Sequence, residues 1–340
     1  MTGTPEQNSG DRRGSWAGRR VIVTGGAGFI GSHLCDKLIA LGSEVVCVDN
    51  LLTGRRDNLV PLMNSTSFEL VEADVSNGLP VSGEVDVIFH LASCASPRDY
   101  LAHPVETLDA CSAGTHRALR LAEAANARFV LASTSEVYGD PLEHPQRETY
   151  WGNVNPIGLR APYDEGKRFA EALTATYHRN RRVNTGIARI FNTYGPRMKP
   201  HDGRAVPTLI NQALRSEPLT VTGDGSQTRS LCHIDDLIDA LLRIGCAEEA
   251  GPINLGNPHE ITILELAKTI LELTGSASPI RYIPTPADDP LVRQPDISLA
   301  RALLGWSPRV DLRDGLERTT AWFAQQLGVL PDPGPPDASP

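Results

Sequence analysis

Two side chains in the segment Tyr163-Asp-Glu-Gly-Lys167 could do chemistry together. Residues i and i+4 share one face of a helix, so the ammonium of Lys167 can lie beside the phenol of Tyr163. A neighbouring positive charge favours the phenolate and lowers a tyrosine from its ordinary pKa of about 10. Tyr163 is thereby a candidate base for taking an alcohol proton near neutral pH. Such pairs are common on surface helices, and this one gains meaning from what precedes it. Upstream lie a run ending in Ala132-Ser-Thr134-Ser135-Glu136 and a glycine-rich turn near the start of the chain.

That turn, Val21-Ile-Val-Thr-Gly25-Gly-Ala-Gly28-Phe29-Ile30-Gly31, follows a β-branched run and opens a helical pattern. In this context the glycines allow a tight turn and close backbone approach, and the helix N-terminus can face a pyrophosphate with its unbonded N–H groups. The glycines fall at three-residue intervals, unlike the Gly-x-Gly-x-x-Gly of many dehydrogenases. Asp49 ends the next apolar run. A carboxylate there accepts the adenosine ribose hydroxyls and repels a 2′-phosphate, which predicts NAD over NADP. Arg55 and Arg56 lie close by, and Asp74 and Val75 are placed to meet the adenine.

The elements that must position these residues follow from periodicity. Short β-branched runs at 21–23, 45–48, 68–71, 85–89 and 129–132 read as buried strands, with helices at 32–41, 105–125 and 163–178. Strand–helix alternation of this kind means a parallel sheet covered on both faces. A sixth strand is expected at 185–189. Beyond Phe191 come helices at 205–215 and 235–246 (Asp235 as N-cap), small strands at 219–221 and 252–255, and amphipathic helices at 263–273 and 312–326. The run at 252–255 could rejoin the main sheet. The expected fold is α/β, a Rossmann-type doubly wound parallel sheet with a smaller C-terminal substrate-binding lobe. A cofactor domain would span 19–190 with return segments at about 230–256, and the lobe 191–229 and 257–327. Residues 1–18 and 328–340 are expected to be disordered.

Bulk properties narrow the partners. A net charge of −9 over 340 residues disfavours nucleic acid. No apolar run approaches the roughly 18 residues that cross a bilayer. The six cysteines are scattered without metal-ligand or disulfide spacing, which points to no metal and to a reducing cytoplasm. His90 and His233 follow apolar runs and read as core residues.

Taken in order, the glycine turn, His90-Leu91-Ala92, Val137-Tyr138-Gly139, Tyr163/Lys167 and Arg189-Ile-Phe-Asn192-Thr193-Tyr-Gly-Pro-Arg197 resemble the extended short-chain dehydrogenase/reductase family of nucleotide-sugar enzymes over residues 19–327. Within that family, Ala132-Ser-Thr-Ser-Glu-Val-Tyr-Gly-Asp-Pro, Tyr150-Trp-Gly-Asn-Val-Asn-Pro-Ile-Gly, Tyr163-Asp-Glu-Gly-Lys-Arg168 and Asp288-Asp-Pro-Leu-Val-Arg293-Gln-Pro-Asp296 are similar to the UDP-glucuronate decarboxylase branch. The resemblance implies that Thr134 bonds the reacting sugar hydroxyl beside Tyr163. It places Ser135 and Glu136 in acid/base and carboxylate-handling positions, and Arg293 as a required active-site cation. Cofactor contacts are implied for Gly25, Gly28, Phe29, Ile30, Gly31, Asp49, Asn50, Thr53, Gly54, Asp74, Val75, Leu91, Ser93, Thr193, Tyr163 and Lys167. Substrate contacts are implied for Tyr100, Asn192, Arg204, Leu219, Val221, Arg229 and Arg293. Where relatives carry an asparagine, this chain has Cys111.

The implied reaction is NAD-dependent decarboxylation of UDP-glucuronate to UDP-xylose through a 4-keto intermediate, by a homodimer. Ser135 stands where 4,6-dehydratases present an acid, and 4-epimerases generally lack the glutamate at 136. The alternatives are an oxidative decarboxylase that releases UDP-4-keto-pentose and NADH, a 4-epimerase, and a non-enzymatic NAD-binding scaffold.

Overall fold

The computed structural model describes residues 15–285 and 292–329. Its centre is a sheet built from β1 (Arg20–Thr24), β2 (Glu44–Asp49), β3 (Phe68–Glu72), β4 (Val87–His90), β5 (Arg128–Thr134) and β6 (Thr185–Ile190). They run in the spatial order β3-β2-β1-β4-β5-β6, and Ile253–Leu255 pairs with β6 as the seventh strand. Every pairing is parallel. The order in which the chain adds strands to the sheet switches sides between β1 and β4, which opens a crevice at the carboxyl ends of the strands, where such sheets bind ligands.

Side chains alternate between the two faces. Val21, Val23, Cys47 and Phe89 pack on one side with Leu34, Leu38, Leu237 and Leu241, from the helices Phe29–Ala40 and Ile234–Cys246. Ile22, Val46, Ile88 and Phe129 pack on the other with Leu119 and Ala170, from the helices Thr115–Ala125 and Ala161–Arg181. Strands covered on both faces have no polar side, which is why they read as unbroken apolar runs. A separate core of Tyr194, Leu209, Leu219, Val221, Leu266, Leu316 and Phe323 organises the C-terminal lobe.

Three local expectations are revised. The helix expected over 105–125 is Pro104–Asp109, a π turn Ala110–Gly114, and Thr115–Ala125. The π turn holds Cys111 where a β-carbon on Gly166 would lie 3.1 Å from its Cβ. At 234–246 the N-cap is His233, whose Nδ1 accepts from the Asp235 backbone N–H at 3.2 Å, and Asp235 sits in the first turn. Trp16 falls within the stretch expected to be disordered, yet it is buried against Phe89, and its carbonyl accepts from Ser43 Oγ at 2.7 Å. A large indole packed on Phe89 gains more from burial than its polar neighbours lose in chain freedom. Residues 1–14 and 330–340 of the expected tails lie outside the described residues, as do Asp288, Asp289, Pro290 and Leu291.

Among the described residues no helix is long and apolar enough to cross a membrane, and no group of three His, Cys, Asp or Glu is placed to hold a metal.

Candidate active site

The carboxyl ends of the strands and the C-terminal lobe enclose a cavity of about 620 Å3. Its first wall is the glycine turn. Gly25 takes φ +71°, and a β-carbon on it would lie 2.8 Å from Ala92 N. A β-carbon on Gly31 would lie 2.2 Å from the Gly25 carbonyl, so only glycine lets the helix start this close to β1. That helix is capped by Gly28 without any side-chain hydrogen bond, leaving its first N–H groups without a cap where Gly28, Phe29 and Ile30 line the cavity. Asp49 closes the far end of the turn, accepting from Ala27 N at 2.9 Å and Leu51 N at 2.8 Å. Burial raises its pKa, and the two backbone bonds oppose that only in part. Asn50, Thr53, Gly54, Asp74, Val75, Leu91, Ser93 and Thr193 line the same cavity, and Asn50 Nδ2 donates to Asp74 at 3.1 Å. A cradle that any β-carbon would fill, an uncapped helix start and a carboxylate at the end of β2 together fit a dinucleotide.

Tyr163 lies on the opposite wall, in the first turns of Ala161–Arg181, and its ring stacks on Tyr100. Thr134, the last residue of β5, lies beside its phenol and favours the phenolate. Lys167 shares the helix face, as the spacing requires, with Nζ 5.9 Å from the Tyr163 ring centroid. Here an expectation fails. Burial pushes the Tyr163 phenol well up rather than down, and the Thr134 hydroxyl beside it offsets only part of that. Lys167 is itself buried, which lowers its pKa, and it donates to the Ala132 carbonyl at 2.8 Å. Desolvation of the anion outweighs a cation held one ring away, so the resting phenol is neutral.

The turn after β5 carries the charged part of the site. Arg293, buried, pairs with Glu136 and donates to Ser135 Oγ at 3.3 Å and to the Gly139 carbonyl at 3.0 Å. Arg160, just before the Tyr163 helix, pairs with the other oxygen of Glu136. Burial alone would raise the Glu136 pKa, but the two guanidinium groups outweigh it and hold the carboxyl below its ordinary value. Asp164 lies one helical turn beyond Arg160, its Oδ2 3.8 Å from Arg160 Nε and its Oδ1 buried without a hydrogen-bond partner. Burial first, then the Glu136 charge, push its pKa up to about 7.

The third wall comes from the lobe. Asn192, Arg204 and Arg229 line it, with Arg204 oriented by Asp202 through Nε at 2.8 Å. Leu219 and Val221 do not face the cavity. Both are fully buried in the lobe core, and Thr220 and Thr222 line the cavity instead. In a strand with one wet face, side chains alternate, and the apolar set goes inward. Arg160 and Asp164 were also beyond sequence reading, although their i, i+4 spacing beside Tyr163 was a usable signal. The two histidines are structural. His90 is held by Thr24 Oγ1 at 2.8 Å and Thr115 Oγ1 at 3.2 Å, and burial with the Lys167 charge lowers its pKa to about 3.

A dinucleotide cradle facing a Tyr/Lys helix across one cavity defines an NAD-linked enzyme of the short-chain dehydrogenase type. The chain belongs to the NAD dependent epimerase/dehydratase family, whose model matches residues 21–256. It is 54% identical over 308 residues to UDP-glucuronic acid decarboxylase 4 of Arabidopsis thaliana, covering 91% of this chain and 69% of that one. Against UDP-glucuronic acid decarboxylase 1 of Danio rerio the identity is 50%, over 91% of this chain and 73% of the other. Among solved structures it is similar to UDP-glucuronic acid 4-epimerase from Bacillus cereus in complex with UDP-glucuronic acid and NAD. That match has a TM-score of 0.76 at 29% identity, covering 90% of this chain and 99% of that one. The dTDP-glucose 4,6-dehydratase from Streptomyces venezuelae with NAD bound superposes with a TM-score of 0.83 at 29% identity, over 91% and 98% of the two chains.

Proposed function

We infer that this chain is a UDP-glucuronate decarboxylase that forms UDP-xylose, with NAD as a cofactor regenerated in each turnover. The observation that carries this reading is the Ser135–Glu136–Arg293 cluster within one turn of Thr134 and opposite Tyr163. NAD, when bound, supplies the acceptor for the C4 hydrogen of the sugar and returns it at the end. The glycine cradle, the start of the helix Phe29–Ala40 and Asp49 would hold it, with Asp49 disfavouring a 2′-phosphate.

Tyr163 acts as base in its phenolate form, having released its own proton to water before turnover, and its Oη then takes the proton of the C4 hydroxyl beside Thr134 Oγ1. Lys167 is the fixed cation that favours the phenolate as the proton moves, and the dry surroundings strengthen its effect. The resulting C4 ketone is β to the C5 carboxylate, so carbon dioxide can leave and its electrons spread into an enolate. Tyr163, now protonated, and Thr134 donate to the developing enolate oxygen. Ser135 and Glu136 stand where C5 is reprotonated, and Arg293 holds Glu136 in place. Asn192, Arg204, Arg229, Thr220 and Thr222 receive the UDP part, the arginines addressing phosphate oxygens.

The six cysteines are all free thiols, which supports a reducing cytoplasm as the place of action. Val105, Leu108 and Phe169 expose large apolar side chains on the helices that flank the site, which supports a homodimer formed through them. A monomeric mass in solution would contradict the dimer. For the reaction, purified protein is incubated with NAD and UDP-glucuronate, and the product is identified by mass and NMR. UDP-xylose with carbon dioxide and no NADH is expected. Accumulating NADH with a 4-keto-pentose identifies the oxidative decarboxylase instead, and release of no carbon dioxide overturns the reading.

A further inference from the structure

Two segments from opposite sides of the crevice are fastened to each other at its rim. The short helix Pro97–Ala102 follows β4 and belongs to the sheet half of the molecule, whereas residues 199–204 run between Met198 and Val206, two side chains of the lobe core. Lys199 Nζ donates to both oxygens of Asp99, at 3.0 and 3.3 Å. Arg98 Nη1 donates to the His201 carbonyl at 3.1 Å, and the Arg98 backbone N–H to the Asp202 carbonyl at 3.5 Å. Asp99 and Lys199 line the cavity yet keep 20% and 34% of their side chains exposed, which puts the ion pair at the mouth. Each end of this bridge leads to a working part of the site. Tyr100, next to Asp99, stacks on Tyr163. Asp202, buried, accepts from the Arg204 backbone N–H at 2.9 Å and from its Nε at 2.8 Å. The Arg204 guanidinium carbon lies 5.9 Å over the ring of Phe29, the first residue of the helix at the glycine cradle.

We propose that the Asp99–Lys199 ion pair is a clasp through which nucleotide binding on the lobe holds the Tyr100–Tyr163 stack in place, so that both are positioning residues for the reaction. The effect on rate rests on the decarboxylase reading. A six-residue helix is too short to hold its own shape, so the orientation of Tyr100 depends on what that helix is fastened to. One fastening is the Tyr163 ring, and the other is residues 199–204. Phosphate oxygens received by Arg204 steady Asp202 and its neighbours, and the contacts of Arg98 and Asp99 pass that order to the helix. A part-exposed ion pair is a weak bond, which suits a fastening that opens for substrate to enter and product to leave.

The test has two readouts. The first is amide hydrogen exchange with UDP alone, which carries no sugar to touch Tyr100. In NAD-loaded wild-type protein UDP should slow exchange over residues 98–102 by about threefold or more. That effect should be lost in Asp99→Ala and in Lys199→Met, while UDP still protects residues 204–209. No protection of 98–102 in wild-type protein, or equal protection in the variants, overturns the clasp. The second readout is turnover of UDP-glucuronate. Each variant should lower kcat by about fivefold, the most that a part-exposed ion pair supplies, with KM within about twofold. The double variant should fall no further than either single one, and Asp99→Glu, which keeps the carboxylate, should recover most of the rate. Additive losses, or Asp99→Glu as slow as Asp99→Ala, overturn the role of the pair. Wild-type protein in which UDP protects 98–102 through the clasp but no carbon dioxide is released sinks the decarboxylase reading and leaves the clasp standing. Carbon dioxide release with protection that ignores the clasp does the reverse.

Discussion

Tyr100 and Tyr163 stack with ring centroids 5.1 Å apart and planes within 8° of parallel. One comes from the short helix Pro97–Ala102 and the other from Ala161–Arg181, so the reactive phenol is clamped between two elements distant in sequence. Replacing Tyr163 by Phe keeps the stack and removes the proton acceptor. Turnover should fall by about 1,000-fold with NAD affinity unchanged, read by steady-state kinetics and an NAD titration. Tyr100→Ala keeps the acceptor and loses the clamp, and kcat should fall by roughly tenfold or more.

The cofactor cradle depends on the absence of a side chain at Gly31. Gly31→Ala places a β-carbon against the Gly25 carbonyl and Gly26 Cα, so the helix must back away from the turn. NAD affinity should drop by at least about tenfold, measured by titration. An unchanged dissociation constant would remove the glycine turn from the binding site.

Glu171 and Arg189 form an ion pair away from the cavity, Nη2–Oε2 2.7 Å and Nε–Oε1 2.9 Å, with Ser133 Oγ donating to the same carboxylate at 2.6 Å. Removing one partner strands a nearly buried guanidinium. Glu171→Ala should cost about 3–5 kcal/mol and lower Tm by roughly 10 °C, with activity at low temperature largely kept. Thermal denaturation followed by circular dichroism checks this.

Stability should depend on pH through Asp164. Its folded pKa is raised to about 7 by burial and then by Glu136, well above the value of the unfolded chain. The folded protein therefore holds the proton more tightly. This contribution is fully present below the unfolded pKa and is lost as pH rises through about 7. Asp164→Asn removes it, so the gap between variant and wild-type Tm should move in the variant's favour by a few °C, about 3 °C, from pH 5 to pH 8.5. A gap independent of pH would mean that Asp164 ionises normally.

Much of the site was legible because its signals are local. Gly25, Gly31 and Asp49 are tied to β1, β2 and the helix between them by backbone geometry that short-range sequence dictates. Tyr163 and Lys167 share a face because helical periodicity permits nothing else. Leu219 and Val221 went astray because an offset of a single residue reads the wrong face of a strand, and only the lobe core shows which face is wet.

By itself the amino-acid sequence determined the strand–helix alternation, the glycine turn and the placing of Tyr163 and Lys167 on one helix face. These depend on chain periodicity and residue chemistry over a few positions. Tertiary structure alone decided the electrostatic state of the site: that Tyr163 rests neutral, that Arg160 and Arg293 share Glu136, and that Asp164 keeps its proton near neutrality. A pKa is set by burial and by charges brought together from remote segments, and neither is written in the spacing of neighbours.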